Sequence, residues 1–250
     1  MDKVIYTAMS GAEHTLSQQS NAANNLANAS TTGFRSQFDT FRSVPVVAGS
    51  GGSSLSNTRT FVVDSTPGTD FTPGSLQQTG RPLDVAVQGS GWLAVQAADG
   101  SEAYTRAGDL KIDQNGVLQT QSGNSVLGDT GPITIPPQTA VTIATDGTVS
   151  TVATDGVPNA VAILGRIKLV NPSDASMVHG DDGLYRQASG APATTDEGVQ
   201  LAPGFIESSN VNPVESMVTM INLSRQFDLH MKMLTTVDGD ESKASAILTL

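Results

Sequence analysis

The stretch NNLANASTTGF, Asn24 to Phe34, decides how the rest of the chain is read. It looks helical, is rich in Asn and Ala, carries no charge and stops on Gly33-Phe34. A surface helix normally shows charge on its outer face, and a core-facing helix shows large apolar residues on its inner one. This segment offers neither, so its neighbours have to be sought elsewhere in the sequence.

Upstream, apolar or small residues recur at Ile5, Met9, Ala12, Leu16, Ala23 and Leu26, with Gln19 standing in the one gap of the series. Steps of three and four describe a coiled-coil-like seam. Asp2 is the expected N-cap, and Gly33 the expected stop, of a helix reaching to about residue 32. The alternative is an ordinary amphipathic helix on a globular core, against which the scarcity of Leu and Phe in the seam weighs.

The far end of the chain has a counterpart. NPVESMVTMINLSRQFDLHMKMLTTV opens with Asn212 at a cap position, Pro213 at the first helical position and Glu215 at the third. A second seam runs through Met220, Leu223, Phe227, His230, Leu234 and Val237, and Val214, Met217 and Ile221 widen its apolar face. Gly239 is expected to kink or interrupt this helix, with Ala244 to Leu250 able to resume it.

Between the helices the chain changes character. Residues 44–80 are dominated by Gly, Ser, Thr, Pro and Asn and read as extended backbone, a strap lying along a surface. From Arg81 the period becomes two. Leu83, Val85 and Val87 alternate with small or polar residues, and GWLAVQA places Leu93 and Val95 on one face. LKIDQNGVLQT and VTIATDGTVSTV read as hairpins turning at Asn115-Gly116 and Asp146-Gly147, and a longer strand is expected from Ile163 to Val170. The fold class is therefore α+β. Its parts are terminal helical segments (1–34 plus 208–250) forming one assembly domain, an extended linker (35–80) and an antiparallel β domain (81–207). Isolated helices are marginal in water, so the two helices must pair with each other, with the β domain or with other copies.

Composition narrows the function. The 250-residue chain carries a net charge of −11, with only 13 Lys and Arg, which argues against nucleic acid and against docking on anionic lipid. There is no cysteine, so disulfides and thiolate chemistry are excluded. No window reaches the roughly 18 apolar residues of a membrane span, so no membrane insertion is expected. MDKVIYTAMSGAEHTL lacks the charged start and apolar run of a secretory signal, so export would use a route that reads no cleaved signal.

No motif points to catalysis. The three histidines, His14, His179 and His230, form no zinc-spaced pair, and His179 beside Asp181 and Asp182 reads as a polar turn. GSGW (Gly89–Trp92) lacks the third Gly and following helix of a dinucleotide site. DGDES (Asp238–Ser242) has Lys243 and Thr249 where a calcium loop needs Gly and Glu. No enzyme activity, cofactor or metal is expected.

The motifs resemble those of the bacterial flagellar rod and hook proteins. NNLANASTTGF, TGRPLDVAVQGSGWLAV (Thr79–Val95), YTRAGDLKIDQNGVL (Tyr104–Leu118) and SNVNPVESMVTMI (Ser209–Ile221) follow one another as they do in that family, over nearly the whole chain. The opening MDKVIYTAMSGA, the length and GWLAVQAADGSEAYTRAGDL are most similar to the proximal-rod members. Distal-rod members are the nearest alternative, and a secreted peptidoglycan-binding or peptidoglycan-cleaving β protein is the rival from another class. With one Trp and three Tyr the chain is poorly supplied for a sugar-stacking platform.

The resemblance implies a structural subunit that self-assembles into a helical tube around a central export channel and transmits torque. Its terminal helices would form the inner layer, with the β domain outside. Its partners would be other copies, neighbouring rod proteins and, during secretion, the flagellar export apparatus. Its place would be the periplasmic rod of the basal body. The interface would be the two seams: Ile5, Met9, Ala12, Leu16, Ala23 and Leu26, with Phe34 anchoring the strap, and Val214, Met217, Met220, Ile221, Leu223, Phe227, Leu234 and Val237. An uncharged Ala/Asn/Ser helix suits that setting, because small residues allow close approach and amides bond across an interface without desolvating charge.

Overall fold

The seams predict two long helices, and the computed structural model, which describes residues 2–45, 60–64, 68–153 and 161–248, has them as α1, Asp2–Ala27, and α2, Pro213–Leu248. The chain divides into two compact units. One comprises the described residues of 1–29, 36–70 and 211–250; the other comprises 30–35 with the described residues of 71–210.

In the helical unit α1 packs along α2. Asn212 caps α2: its Oδ1 accepts from the backbone N–H of Val214 at 3.1 Å and of Glu215 at 3.4 Å. The helix runs on through Gly239 without a break. A lone glycine costs a helix about 1 kcal/mol, which good formers on either side outweigh. Asp238–Ser242, considered above as a calcium loop, lies within this helix.

The strap is paired over part of its described length. Phe41–Pro45 lies antiparallel to Thr60–Asp64, and Gln37–Phe38 to Gly68–Thr69. Most of VVAGSGGSSLSNTRT, residues 46–59, lies outside the described residues, as does the last part of the Ala244–Leu250 reading, residues 249–250.

The β unit is antiparallel throughout its described ladders. Its largest sheet runs in the order Met177–His179, Tyr185–Gln187, Glu102–Thr105, Trp92–Gln96, Ser125–Gly128, Leu118–Thr120, Leu110–Ile112. Thr139–Ile143, Thr148–Ala153 and Val161–Arg166 form a three-stranded sheet. Val85–Gln88 pairs with Gln200–Pro203, and Leu76–Gln78 with Phe205–Glu207.

Trp92–Gln96 is the central strand, and it is buried on both faces rather than one. Leu93 and Val95 join the main core with Val85, Leu110, Leu118 and Leu201; Trp92 and Ala94 join a second cluster with Tyr104, Val170 and Tyr185. The strand expected over Ile163–Val170 is two strands, Val161–Arg166 and Leu169–Val170, in different sheets. The chain changes sheet at Ile167, whose side chain is buried in the main core.

The hairpin loops share one construction. Gly116 donates to Asp113 O at 3.1 Å and the Asp113 N–H donates to Val117 O at 3.0 Å; Gly147, between Ala144 and Thr148, repeats this. Only the glycine takes a left-handed φ (83° and 84°), because Gln138 is the one non-glycine residue at positive φ among the described residues. These are three-residue loops closed by a glycine, not two-residue mirror-image turns, which would need Asn115 left-handed as well.

Candidate assembly site

The two seams come together in the helical unit, but with different phases. On α2 the less exposed residues are Met220, Leu223, Phe227, His230, Leu234 and Val237, with Leu223 buried; Val214, Met217 and Ile221 point outward. On α1 the covered line is Ile5, Ala8, Ala12, Thr15, Ala22 and Leu26, while Met9, Leu16 and Ala23 lie on the outer side. Small residues sit on the inner line because the helices approach closely there. A Cβ added to Gly11 would come within 2.7 Å of the His230 ring. Thr15 satisfies its hydroxyl by donating to Gly11 O at 2.8 Å.

The amides of the opening stretch have a specific use. Asn25 Nδ2 donates to Gln37 O at 2.7 Å, and its Oδ1 accepts from the Gln37 N–H at 2.9 Å. Asn21 donates to the Asp39 carboxylate, and His14 meets Phe41 edge to face at 5.4 Å. The uncharged amides of α1 thus pin the returning strap to the helix.

The end of α1 differs from the sequence reading. The helix stops at Ala27, and Gly33 does not cap it. Gly33 belongs to the β unit. Its φ is +68°, its N–H donates to Glu207 O at 2.8 Å, and a Cβ there would lie 2.3 Å from the backbone carbon of Arg106. Glycine is needed for close approach of two backbones, not to end a helix. Phe34 is half-buried, and its carbonyl accepts from the Asn210 N–H at 3.3 Å.

Around Glu207 sits a buried ionic group that the hydrophobic seams did not suggest. Glu207, Arg35 and Arg106 are all at most 4% exposed. Arg35 Nη2 lies 2.7 Å from Glu207 Oε1, and Arg106 Nη1 lies 3.1 Å from Oε2. Oε1 also accepts from the Gly74 N–H at 2.9 Å. The surplus positive charge is met by carbonyls: Arg35 donates to Thr72 O, and Arg106 Nη2 to Gly89 O at 2.8 Å. The Arg106 guanidinium sits 5.3 Å from the Trp92 ring centroid. Burial lowers the pKa of Arg106; Glu207 opposes that shift and Arg35 reinforces it. The available signal was three charges set in uncharged surroundings: Arg35 after TTGF, Arg106 in YTRAG and Glu207 in GFIESSN.

The residues considered for chemistry do not converge. His179 packs edge-on against Tyr185 at 5.0 Å, and burial pushes its pKa down. Asp182 pairs with Arg186 at 2.7 Å. Among the described residues no cluster of three His, Asp or Glu could hold a metal ion, and no helix is long and apolar enough to cross a membrane.

Three family descriptions match in chain order: "Flagella basal body rod protein" over residues 5–35, "Flagellar hook protein FlgE/F/G D1 domain" over 86–151 and "Flagellar basal body rod FlgEFG protein C-terminal" over 202–247. The chain is 48% identical to the flagellar basal-body rod protein FlgF of Salmonella typhimurium, with all of both chains covered. It belongs to the FlgF family of flagellar basal-body rod proteins. Its identity to FlgF of Escherichia coli is 46%, again over the whole of both chains. The rod protein FlgG of Bacillus subtilis is 32% identical, over 95% of this chain and 96% of its own. As a member of this family the chain is a structural protein of the flagellar basal-body rod, and the peptidoglycan-active alternative is not favoured. The Asn/Ala-rich stretch and the ionic group at Arg35 fall within or beside the first matched region, and Glu207 falls within the third.

Proposed function

We propose that the chain is a subunit of the proximal rod that packs with other copies and with neighbouring rod proteins into a tube around the export channel, and passes torque along it. Segments 1–34 and 208–250 would supply the packing elements, 35–80 the strap and 81–207 the outer β domain. The observation that carries this reading is the outward apolar face of the helix pair. Val214, Met217 and Ile221 on α2, and Met9 and Leu16 on α1, are all at least half exposed. Apolar side chains in such a row find cover against other helices, each contributing about 1.5–3 kcal/mol when fully buried. Inside the pair, Ile5, Ala12, Leu26, Met220, Leu223, Phe227, Leu234 and Val237 would hold the two helices together, with Ala23 at the margin and Phe34 anchoring the strap.

The role asks for no catalysis. The subunit would reach the rod unfolded through the flagellar export apparatus, a passage for which a chain without cysteine is well suited.

The test is incorporation. In Leu223→Asp a charge enters the buried centre of the helix pair. The variant should keep the near-ultraviolet circular dichroism of the β unit and disappear from purified basal bodies probed with an antibody to the chain. Recovery of the variant in basal bodies at the wild-type level would refute the role given to the helix pair.

A further inference from the structure

One buried group has no part in the outward apolar face: the ionic cluster of Arg35, Glu207 and Arg106. We infer that these are positioning residues for assembly, fastening the chain's two lead-ins, residues 33–35 and 207–210, to each other at one point of the β unit before the helices meet any partner. The inference rests on the rod reading above, since assembly is what such positioning would serve.

The lead-ins are joined twice by backbone bonds, Gly33 N–H to Glu207 O at 2.8 Å and Asn210 N–H to Phe34 O at 3.3 Å. The fit leaves no slack. A Cβ at Gly33 would strike the Arg106 backbone, and one at Gly74 would lie 1.9 Å from Ser208 O. Asn210 Nδ2 also donates to Thr72 O at 3.1 Å, the carbonyl that accepts from Arg35. Arg35 lies eight residues past the end of α1 at Ala27, and Glu207 six residues before the start of α2 at Pro213.

Why the cluster is ionic is the informative point. An apolar trio of similar size would be about as stabilising, because desolvating three charges offsets most of their attraction. What charge adds is a single permitted pairing. Two forked cations meet one carboxylate, and a slipped register would leave a charge buried alone. Closing the loop between the lead-ins, well over a hundred residues, carries an entropic cost that the β unit meets when it folds. Two helices tethered through short lead-ins then face each other at an effective concentration of about millimolar.

The experiment is site-resolved amide exchange on the full chain in solution. In the wild type the Gly33 and Asn210 amides should exchange as slowly as those of Ala94 and Leu118, which are bonded within the β unit to Lys168 O and Ile133 O. Glu207→Gln keeps the shape and removes the charge. It should speed exchange at Gly33 and Asn210 by about tenfold or more while Ala94 and Leu118 stay protected. Unchanged exchange at Gly33 and Asn210 would overturn the inference, and so would an equal rise at all four amides, the mark of a cluster that only stabilises.

Should Glu207→Gln lose the Trp92 near-ultraviolet signal altogether, Arg35→Met decides by the same comparison, because it leaves Arg106 and Gly74 on Glu207. Incorporation into basal bodies is scored separately. A chain with protected lead-ins that never enters the rod counts against the rod reading. A chain that enters the rod with fast-exchanging lead-ins counts against this inference alone.

Discussion

The β unit and the helical unit use apolar residues in opposite ways. In the β unit Leu93, Val95, Leu110, Leu118 and Leu201 are each at most 1% exposed, and even the central strand is covered on both faces. In the helical unit the inner line of α1 is mostly alanine and threonine, whereas Val214, Met217 and Ile221 of α2 stand at 69%, 51% and 53% exposure. The first is a core already complete within one chain. The second leaves a row of large side chains uncovered on its outer side, while α1 turns mostly small ones toward its partner helix. On the reading proposed above this division serves a rod subunit, because its stable part must not depend on its neighbours and its adhesive part must.

The contrast can be broken most forcefully from the β side. Leu93→Ala should destabilise that unit by about 2–5 kcal/mol, since the site is sealed on all sides and collapses poorly. Urea unfolding followed by Trp92 fluorescence would measure it, and a loss below about 1 kcal/mol would mean that the core is looser than its burial indicates.

A smaller effect tests how completely the second cluster is sealed. The Tyr104 hydroxyl donates to Glu102 Oε1 at 2.9 Å and accepts from the Ala193 N–H at 2.6 Å. Its pKa is raised from 10.0 to about 12, chiefly by burial. Between these values the unfolded chain has lost the phenolic proton and the folded one retains it. Stability is therefore full below pH 10.0 and falls as pH rises toward about 12. Urea midpoints across that range should decline, and Tyr104→Phe should flatten the decline attributable to this group. An unchanged slope in the variant would show that water reaches the hydroxyl.

The smallest effect lies in the helical unit. A Cβ at Gly239 meets nothing within 4 Å, so Gly239→Ala should strengthen α2 by about 0.5–1 kcal/mol. Helical ellipticity during thermal unfolding reports it. A destabilised helix would mean that a neighbour closes on that position.

Much of this was readable in the sequence, and the failures share a cause. Asn212-Pro213 announced the start of α2, and period-two alternation announced the β unit, because both signals are local. The α2 seam was legible through large residues such as Leu223 and Phe227. The phase of α1 was not, because Ala8, Ala12, Thr15 and Ala22 differ too little in hydrophobicity from the residues beside them. Gly33 fits a helix stop in the sequence because nothing there shows Arg106 lying against it.

The sequence by itself thus determined the α+β plan, the two terminal helices, the glycine-closed hairpins and the family, since each rests on residues close together in the chain or on motifs in order. Only the tertiary structure decided which face of α1 meets α2, that the central strand is covered twice, and that Arg35, Arg106 and Glu207 share one buried point. Those depend on contacts between segments far apart in the chain, where shape and desolvation, not local propensity, select the outcome.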